Sequence, residues 1–163
     1  VIPTVDINDS KEYIFTNIIP ENENDSEKYI TDVNIGKAIR ASSSFPVVFN
    51  PCIYKKHRFF DGGILDNIPA TEVKKRGAEK VIAINFKADN IEENSTVMDI
   101  AMRPIDIMGN KISEENLKDS DMILTIETDK TGLLELEKLD KCYQYGYRQT
   151  IRNLDKIKNL INN

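Results

Sequence analysis

The stretch Phe59–Pro69 constrains the fold of this chain more than any other part of it. Its apolar first pair is typical of the end of a buried strand, and Asp61 follows directly. Gly62 and Gly63 then permit a sharp turn through positive φ and a close approach to another group. Pro69 suits the first turn of a helix, where its missing N–H costs nothing. The order strand, acid, turn, helix predicts an α/β arrangement with Asp61 at the carboxyl edge of a sheet.

A plainer interpretation of the same stretch is a strand-to-helix turn that Asp61 only caps, since Asp-Gly is a common turn pair. The surrounding motifs favour a catalytic role. A helix end, Ala38-Ile39-Arg40-Ala41-Ser42, runs towards Pro46, then Phe49-Asn50-Pro51 follows, and Asn67-Ile68-Pro69 comes after the glycines. In this order and spacing the motifs resemble the second half of the patatin-like phospholipases, which are Ser–Asp lipid acyl hydrolases. The resemblance covers residues 34–86 and continues only as a pattern to the C-terminus.

This resemblance implies a partial patatin-like three-layer α/β fold, with a mostly parallel sheet, flanking helices and an N-terminal β-hairpin. Residues 1–163 would form the C-terminal portion of a single domain. The resemblance also implies that Asp61 takes the proton of a serine nucleophile, while Gly62, Gly63 and Asn67 support the turn. A free carboxylate with a pKa near ~3.9 is a weak base, so the site has to be partly desolvated or to couple proton transfer to bond formation.

The serine nucleophile of such an enzyme is missing from the sequence. None of the seven glycines forms a Gly-x-Ser-x-Gly elbow, and there is no glycine-rich oxyanion loop. Ser42, Ser43 and Ser44 follow a helix without flanking glycines. The lone histidine, His57, lies in a basic turn and is interpreted as a solvated residue.

Three hypotheses follow from a sequence that has the aspartate but not the serine of such a site. The leading one is a C-terminal piece of a longer lipid acyl hydrolase, inactive when isolated. The second is a non-catalytic module that keeps the fold for binding or assembly. The third is a two-subunit enzyme whose other polypeptide supplies the serine. Asp61 favours the first and third equally, because a non-catalytic module has no need of it.

Composition and charge limit the classes of molecule that this chain is expected to bind. A net charge of -5 argues against nucleic acid, and 40% hydrophobic with 30% charged residues is typical of a globular protein. No metal or cofactor is predicted; the substrate implied by the resemblance is a lipid or ester. The basic cluster 55–58 leaves peripheral membrane contact open, although such a cluster is more often simply solvated. An uncovered strand edge would favour self-association.

The compartment and source rest on weaker features of the sequence. Cys52 and Cys142 fit no metal spacing and are interpreted as apolar fillers, which together with the lack of a signal sequence predicts a cytoplasmic location. Lysine in excess of arginine and abundant isoleucine and asparagine are compatible with a bacterial source.

Periodicity predicts the order of the elements. We expect a hairpin from runs 1–7 and 12–17, a helix from about 31 towards the serines, and strands over 52–54, up to 61, 81–86 and 122–126. The run 81–86 is typical of a central parallel strand covered on both faces. Further helices are expected over 70–76, stopped by Gly77, over 97–117 with a kink or split at Pro104, and over 137–161.

Overall fold

The computed structural model describes residues 1–21, 26–86, 97–128 and 136–162. Its larger sheet has five strands in the order β3-β2-β1-β5-β4. These are β1 (Ile2–Asp6), β2 (Lys11–Phe15), β3 (Tyr29–Ile30), β4 (Cys52–Tyr54) and β5 (His57–Asp61). Strands β1 and β2 pair antiparallel with Ile2 opposite Phe15, which confirms the predicted N-terminal hairpin.

The α/β class is confirmed, but the prediction of a mostly parallel sheet is wrong for this five-stranded unit. Only β2 and β3 run parallel; the β1–β2, β1–β5 and β4–β5 pairs are antiparallel. For the β1–β2 and β4–β5 pairs the reason lies in the connections. Four residues join β1 to β2 and two join β4 to β5, and such short links permit antiparallel neighbours, whereas a parallel pair needs a crossover of about a dozen residues or more.

A second, two-stranded sheet carries the expected parallel pair. Strand β6 (Ile82–Phe86) lies beside β7 (Met122–Ile126) in register, with Ile84 opposite Leu124. The prediction that β6 is covered on both faces is wrong within the described residues. Ile84 and Phe86 are 55% and 60% exposed.

Five α-helices are described: α1 (Ile35–Ser42), α2 (Ala70–Lys74), α3 (Val97–Asn116), α4 (Leu139–Arg152) and α5 (Leu154–Asn162). Pro104 lies inside α3 and does not split it. The single C-terminal helix expected over 137–161 is instead two helices. Asn153 ends α4: its backbone N–H bonds back to Thr150 and its side chain to Gln149, so asparagine supplies the stop.

The core that holds β5 in place lies between the five-stranded sheet and α1. It contains Phe15, Ala38, Ala41, Cys52 and Phe59. The Phe15 and Phe59 rings meet edge to face with centroids 5.3 Å apart. The two alanines allow the helix to approach the sheet closely. Cys52 and Cys142 are both free, and Cys52 is buried in this core as predicted.

Candidate active site

Asp61 is the last residue of β5 and pairs with Thr4 of β1. Its Oδ1 accepts a 2.8 Å hydrogen bond from the Gly63 N–H, while Oδ2 has no hydrogen bond within the described residues. The residue is half-buried. Burial raises the pKa of Asp61 above its ordinary value and outweighs the opposing effect of the Gly63 bond. One carboxylate oxygen is therefore fixed, and the other is available to a further group.

Gly62 is required for close approach rather than for a left-handed turn. Of the described glycines, Gly77 has a positive φ, 87°, whereas Gly62 and Gly63 do not, so the predicted turn through positive φ is wrong. A Cβ on Gly62 would lie 2.3 Å from the Pro3 carbonyl oxygen. The chain therefore passes against β1 directly after Asp61 with no room for a side chain.

Gly63 and Asn67 lie next to the Asp61 carboxylate. A Cβ on Gly63 would lie 3.1 Å from Asp61 Oδ1 and 3.0 Å from Asn67 Oδ1. Asn67 donates from Nδ2 to Ser113 Oγ of α3 at 3.1 Å. This bond ties the turn after Asp61 to α3, and Pro69 then stands at the N-cap position of α2.

Two residues that bond to the Phe60–Asp61 peptide group were not singled out for this role from the sequence. The Thr4 hydroxyl donates to the Phe60 carbonyl at 2.7 Å, and the Ser44 carbonyl accepts the Asp61 N–H at 3.1 Å. Arg40 in turn donates to the Ser44 hydroxyl. A hydroxyl residue in a strand or after a helix has no distinctive spacing, so the sequence carries no signal for these contacts.

His57 is not the solvated residue that the sequence predicted. Its Nδ1 lies 2.6 Å from Asp6 Oδ2, its ring stacks on Phe59 at 5.1 Å, and its side chain is 13% exposed. The prediction failed because the strand that begins at His57 turns this side chain onto the sheet, beside the carboxylate of β1. Because its Nδ1 already contacts Asp6, His57 is not placed to act as a hydrogen-bond partner of Asp61.

A group of partly or fully buried charged residues surrounds Asp66. Asp66 lies among Glu12, Lys28 and Glu72, and its Oδ1 accepts a 2.6 Å bond from Asn116. Burial and then the Glu12 and Glu72 carboxylates raise the pKa of Asp66 to about 7, with Lys28 opposing them.

Glu72 titrates in the opposite direction. Its burial raises the pKa, but hydrogen bonds from Arg76 and Lys28 outweigh this and hold the pKa at about 2. Among the described residues no cluster of His, Cys, Asp and Glu could hold a metal ion. No described helix has the length and apolarity needed to cross a membrane.

Comparison with known families shows what the segment that contains this turn is similar to. Residues 5–74 match the family model described as patatin-like phospholipase. These residues, which make up less than half of the chain, are similar to the patatin-like phospholipases. This patatin-like segment begins in β1, earlier than the predicted resemblance at Asn34, and ends in α2. It includes Asp61, Gly62, Gly63 and Asn67.

Yeast lysophospholipases are similar to a short stretch of this chain. The protein named lysophospholipase NTE1 of Meyerozyma guilliermondii is 45% identical over 47 residues, which is 29% of this chain and 3% of that protein. The Candida albicans protein of the same name is 44% identical over 52 residues, with the same two shares. The matched stretch thus spans about 3% of the length of these curated relatives. Because these relatives are yeast proteins, the comparisons do not support a bacterial source.

Proposed function

We propose that this chain supplies the aspartate of a Ser–Asp lipid ester hydrolase of the patatin type. The observation that carries the proposal is the state of the Asp61 carboxylate at the end of β5. One oxygen is held by the Gly63 N–H, the other has no hydrogen bond within the described residues, and partial burial raises its pKa. These are the properties that a carboxylate general base requires, since an exposed aspartate is too weak a base.

The chemistry assigned to Asp61 is proton transfer. As a serine oxygen attacks the ester carbonyl carbon, Asp61 takes the hydroxyl proton, and the C–O bond to the leaving alcohol then breaks as that proton is passed to it. Water repeats the same sequence on the acyl-enzyme. Burial assists because it disfavours the charged carboxylate and so strengthens it as a base.

The nucleophile in this proposal comes from a polypeptide segment outside residues 1–163. Ser44 is 0% exposed, and its hydroxyl is engaged with Arg40 on both sides: it donates to the Arg40 carbonyl and accepts from the guanidinium. It is therefore closed to substrate. Ser43 donates to the Ile39 carbonyl at 2.9 Å and has no glycine-flanked elbow around it.

The small second sheet supports the presence of such a segment. A parallel pair of strands is ordinarily buried on both faces. Here Ile84, Phe86 and Ile123 are 55%, 60% and 46% exposed. Apolar surface of this kind fits a further strand and its helices, which in our proposal belong to the part of the enzyme that carries the serine.

The deciding experiment substitutes Asp61→Asn in the protein that carries both halves of the site. We expect kcat for a lysophospholipid to fall by about 10²-fold or more, because an amide cannot take the proton. The matched control is Asp32→Asn, since Asp32 is an exposed aspartate whose partner is Lys55. Circular dichroism and unfolding curves of both variants should match those of the unsubstituted protein.

Labelling with a fluorophosphonate separates the proposal from its alternatives. Residues 1–163 alone should remain unlabelled and without esterase turnover. The protein that carries both Asp61 and the segment with the serine, called the two-half protein below, should be labelled on one serine. Labelling of a serine within residues 1–163, or full turnover of the Asp61→Asn variant, would contradict the proposed function. A non-catalytic module would show neither labelling nor turnover in any form.

A further inference from the structure

The peptide group that precedes Asp61 is held on both of its polar atoms. Its carbonyl, from Phe60, accepts the Thr4 hydroxyl at 2.7 Å, and its N–H, from Asp61, donates to the Ser44 carbonyl at 3.1 Å. Both Thr4 and Ser44 are 0% exposed, and they are among the largest fully buried side chains of the described residues. A peptide group fixed from both sides sets the starting direction of the Asp61 side chain.

The Ser44 contact stands where the sheet ladder stops. Strand β4 pairs with β5 as far as Cys52 opposite Phe59, and Asp61 lies beyond it. Without an acceptor, the Asp61 N–H would be left unpaired in a partly buried place, which is unfavourable. The Ser44 carbonyl accepts this N–H in place of a β4 carbonyl, because β4 does not extend as far as Asp61.

Ser44 is in turn fixed by Arg40. The Ser44 hydroxyl donates to the Arg40 carbonyl at 2.7 Å and accepts from Nη1 of the same arginine. Nη2 of Arg40 donates to the Asn50 carbonyl at 3.1 Å, just before β4, and its guanidinium lies 5.5 Å from the Phe49 ring centroid. One arginine thereby joins the end of α1, the Ser44 side chain and the chain that enters β4.

We propose that Thr4 and Ser44, the latter held by Arg40, are positioning residues that fix the Phe60–Asp61 peptide and so the direction of the Asp61 carboxylate. They touch neither substrate nor reacting atoms and act through Asp61. The catalytic meaning of this arrangement rests on the proposed function. The positioning itself is a property of the chain and is measurable without turnover.

Hydrogen exchange of the Asp61 amide in the isolated chain tests the positioning. Ser44→Ala removes the two bonds of the serine hydroxyl, and Thr4→Val removes the donor to Phe60 with little change in shape. In each variant we expect the Asp61 amide to exchange about two- to tenfold faster, as loss of one hydrogen bond implies, while the Phe59 amide is unchanged. The Asp61 carboxyl carbon should shift in the NMR spectrum of both variants.

Two controls isolate the effect. Ser43→Ala removes an adjacent serine with the same type of bond, to the carbonyl four residues earlier, but with no contact to Asp61. Thr4→Ser keeps the hydroxyl and should restore the exchange rate and the carbon shift. Equal acceleration at Phe59 and Asp61 would show general destabilisation and overturn the proposal. Unchanged exchange at Asp61 in Thr4→Val would overturn it as well, even if Ser44→Ala fails to fold.

Kinetics of the two-half protein separate this inference from the proposed function. If both hold, Thr4→Val and Ser44→Ala lower kcat with KM unchanged, and Thr4→Ser recovers kcat. If Asp61→Asn retains full turnover while the exchange results stand, the hydrolase assignment fails and the positioning remains. If Asp61→Asn abolishes turnover while both positioning variants keep the exchange pattern and kcat of the unsubstituted protein, the positioning proposal fails alone.

Discussion

His57 Nδ1 and Asp6 Oδ2 lie 2.6 Å apart within the five-stranded sheet, with the Asp6 side chain 3% exposed. Asp6 Oδ1 also accepts the backbone N–H groups of Asn8 and Arg58. Burial raises the pKa of Asp6, but these bonds together with His57 outweigh it and hold the pKa below its ordinary value. This carboxylate therefore joins β1, the hairpin turn and β5 at one point.

Substituting Asp6→Ala should be strongly destabilising because it leaves the backbone N–H groups of Asn8 and Arg58, and the largely buried His57 ring, without their acceptor. We expect a loss of about 3–5 kcal/mol in the free energy of unfolding, measured by urea titration. Asp32→Ala is the matched control: its contact with Lys55 is also 2.6 Å, but the side chains are 60% and 57% exposed. Such an exposed pair contributes about 1 kcal/mol or less. Similar losses in the two variants would contradict the structural role of Asp6.

The turn that carries Asp61 could be predicted from the sequence because its signals are local. Two apolar residues, an acid, two glycines and a proline define a strand end and a helix start whatever surrounds them. The predicted hairpin and the strand Cys52–Tyr54 rest on the same kind of signal, alternation bounded by turn residues, and both are confirmed. The catalytic role of Asp61 stays a prediction.

The pairing of strands and the burial of single polar residues could not be predicted in this way. Whether two strands run parallel depends on which of them become neighbours, and the resemblance suggested a parallel sheet where short links impose antiparallel pairs. Thr4, Ser44 and His57 become informative only when distant segments meet, since their partners are 56, 17 and 51 positions away. The spacing of residues within one segment does not predict contacts between distant segments.

Gly62→Ala tests the close passage of the chain against β1. The added methyl group would lie 2.3 Å from the Pro3 carbonyl oxygen, so either the strand or the turn has to move. We expect a loss of about 1–3 kcal/mol in unfolding free energy. Gly109→Ala in α3 is the control, because nothing lies within 4 Å of its Cβ position, and there alanine should stabilise by about 0.5–1 kcal/mol. A neutral Gly62→Ala would mean that the turn does not pass so close to Pro3.

Val47 is a strained residue in the loop between α1 and β4. Its φ is 71°, a conformation that a β-branched side chain adopts at a cost of about 1–3 kcal/mol. Val47→Gly relieves this strain and should be neutral or stabilising in thermal unfolding. Val48→Gly, whose φ is not positive, should be destabilising because it only adds freedom to the unfolded chain. Equal destabilisation by the two glycines would argue against strain at Val47.

Asp66 should make the stability of the protein fall as the pH rises. Its folded pKa of about 7 is raised above the ordinary value of 3.8, so between these values the folded state binds more protons than the unfolded one. By linkage, the stabilising contribution of the protonated form is complete below the unfolded pKa and is lost as the pH rises through about 7. Glu12, Glu72 and Lys28 are the charged groups that face it, and Glu72, with a pKa of about 2, loses its contribution in a separate, more acidic window.

The test is the free energy of unfolding from about pH 5 to about pH 8 in the unsubstituted chain and in Asp66→Asn. The amide resembles the protonated acid but cannot ionise, so the decline in stability over this range should be smaller in the variant. Asp121→Asn is the control, because hydrogen bonds from Lys74 and the Val81 N–H lower the pKa of Asp121 and place its titration below this range. Its pH dependence should follow that of the unsubstituted chain. If Asp66→Asn keeps the full decline, Asp66 is ionised in the folded state throughout this range.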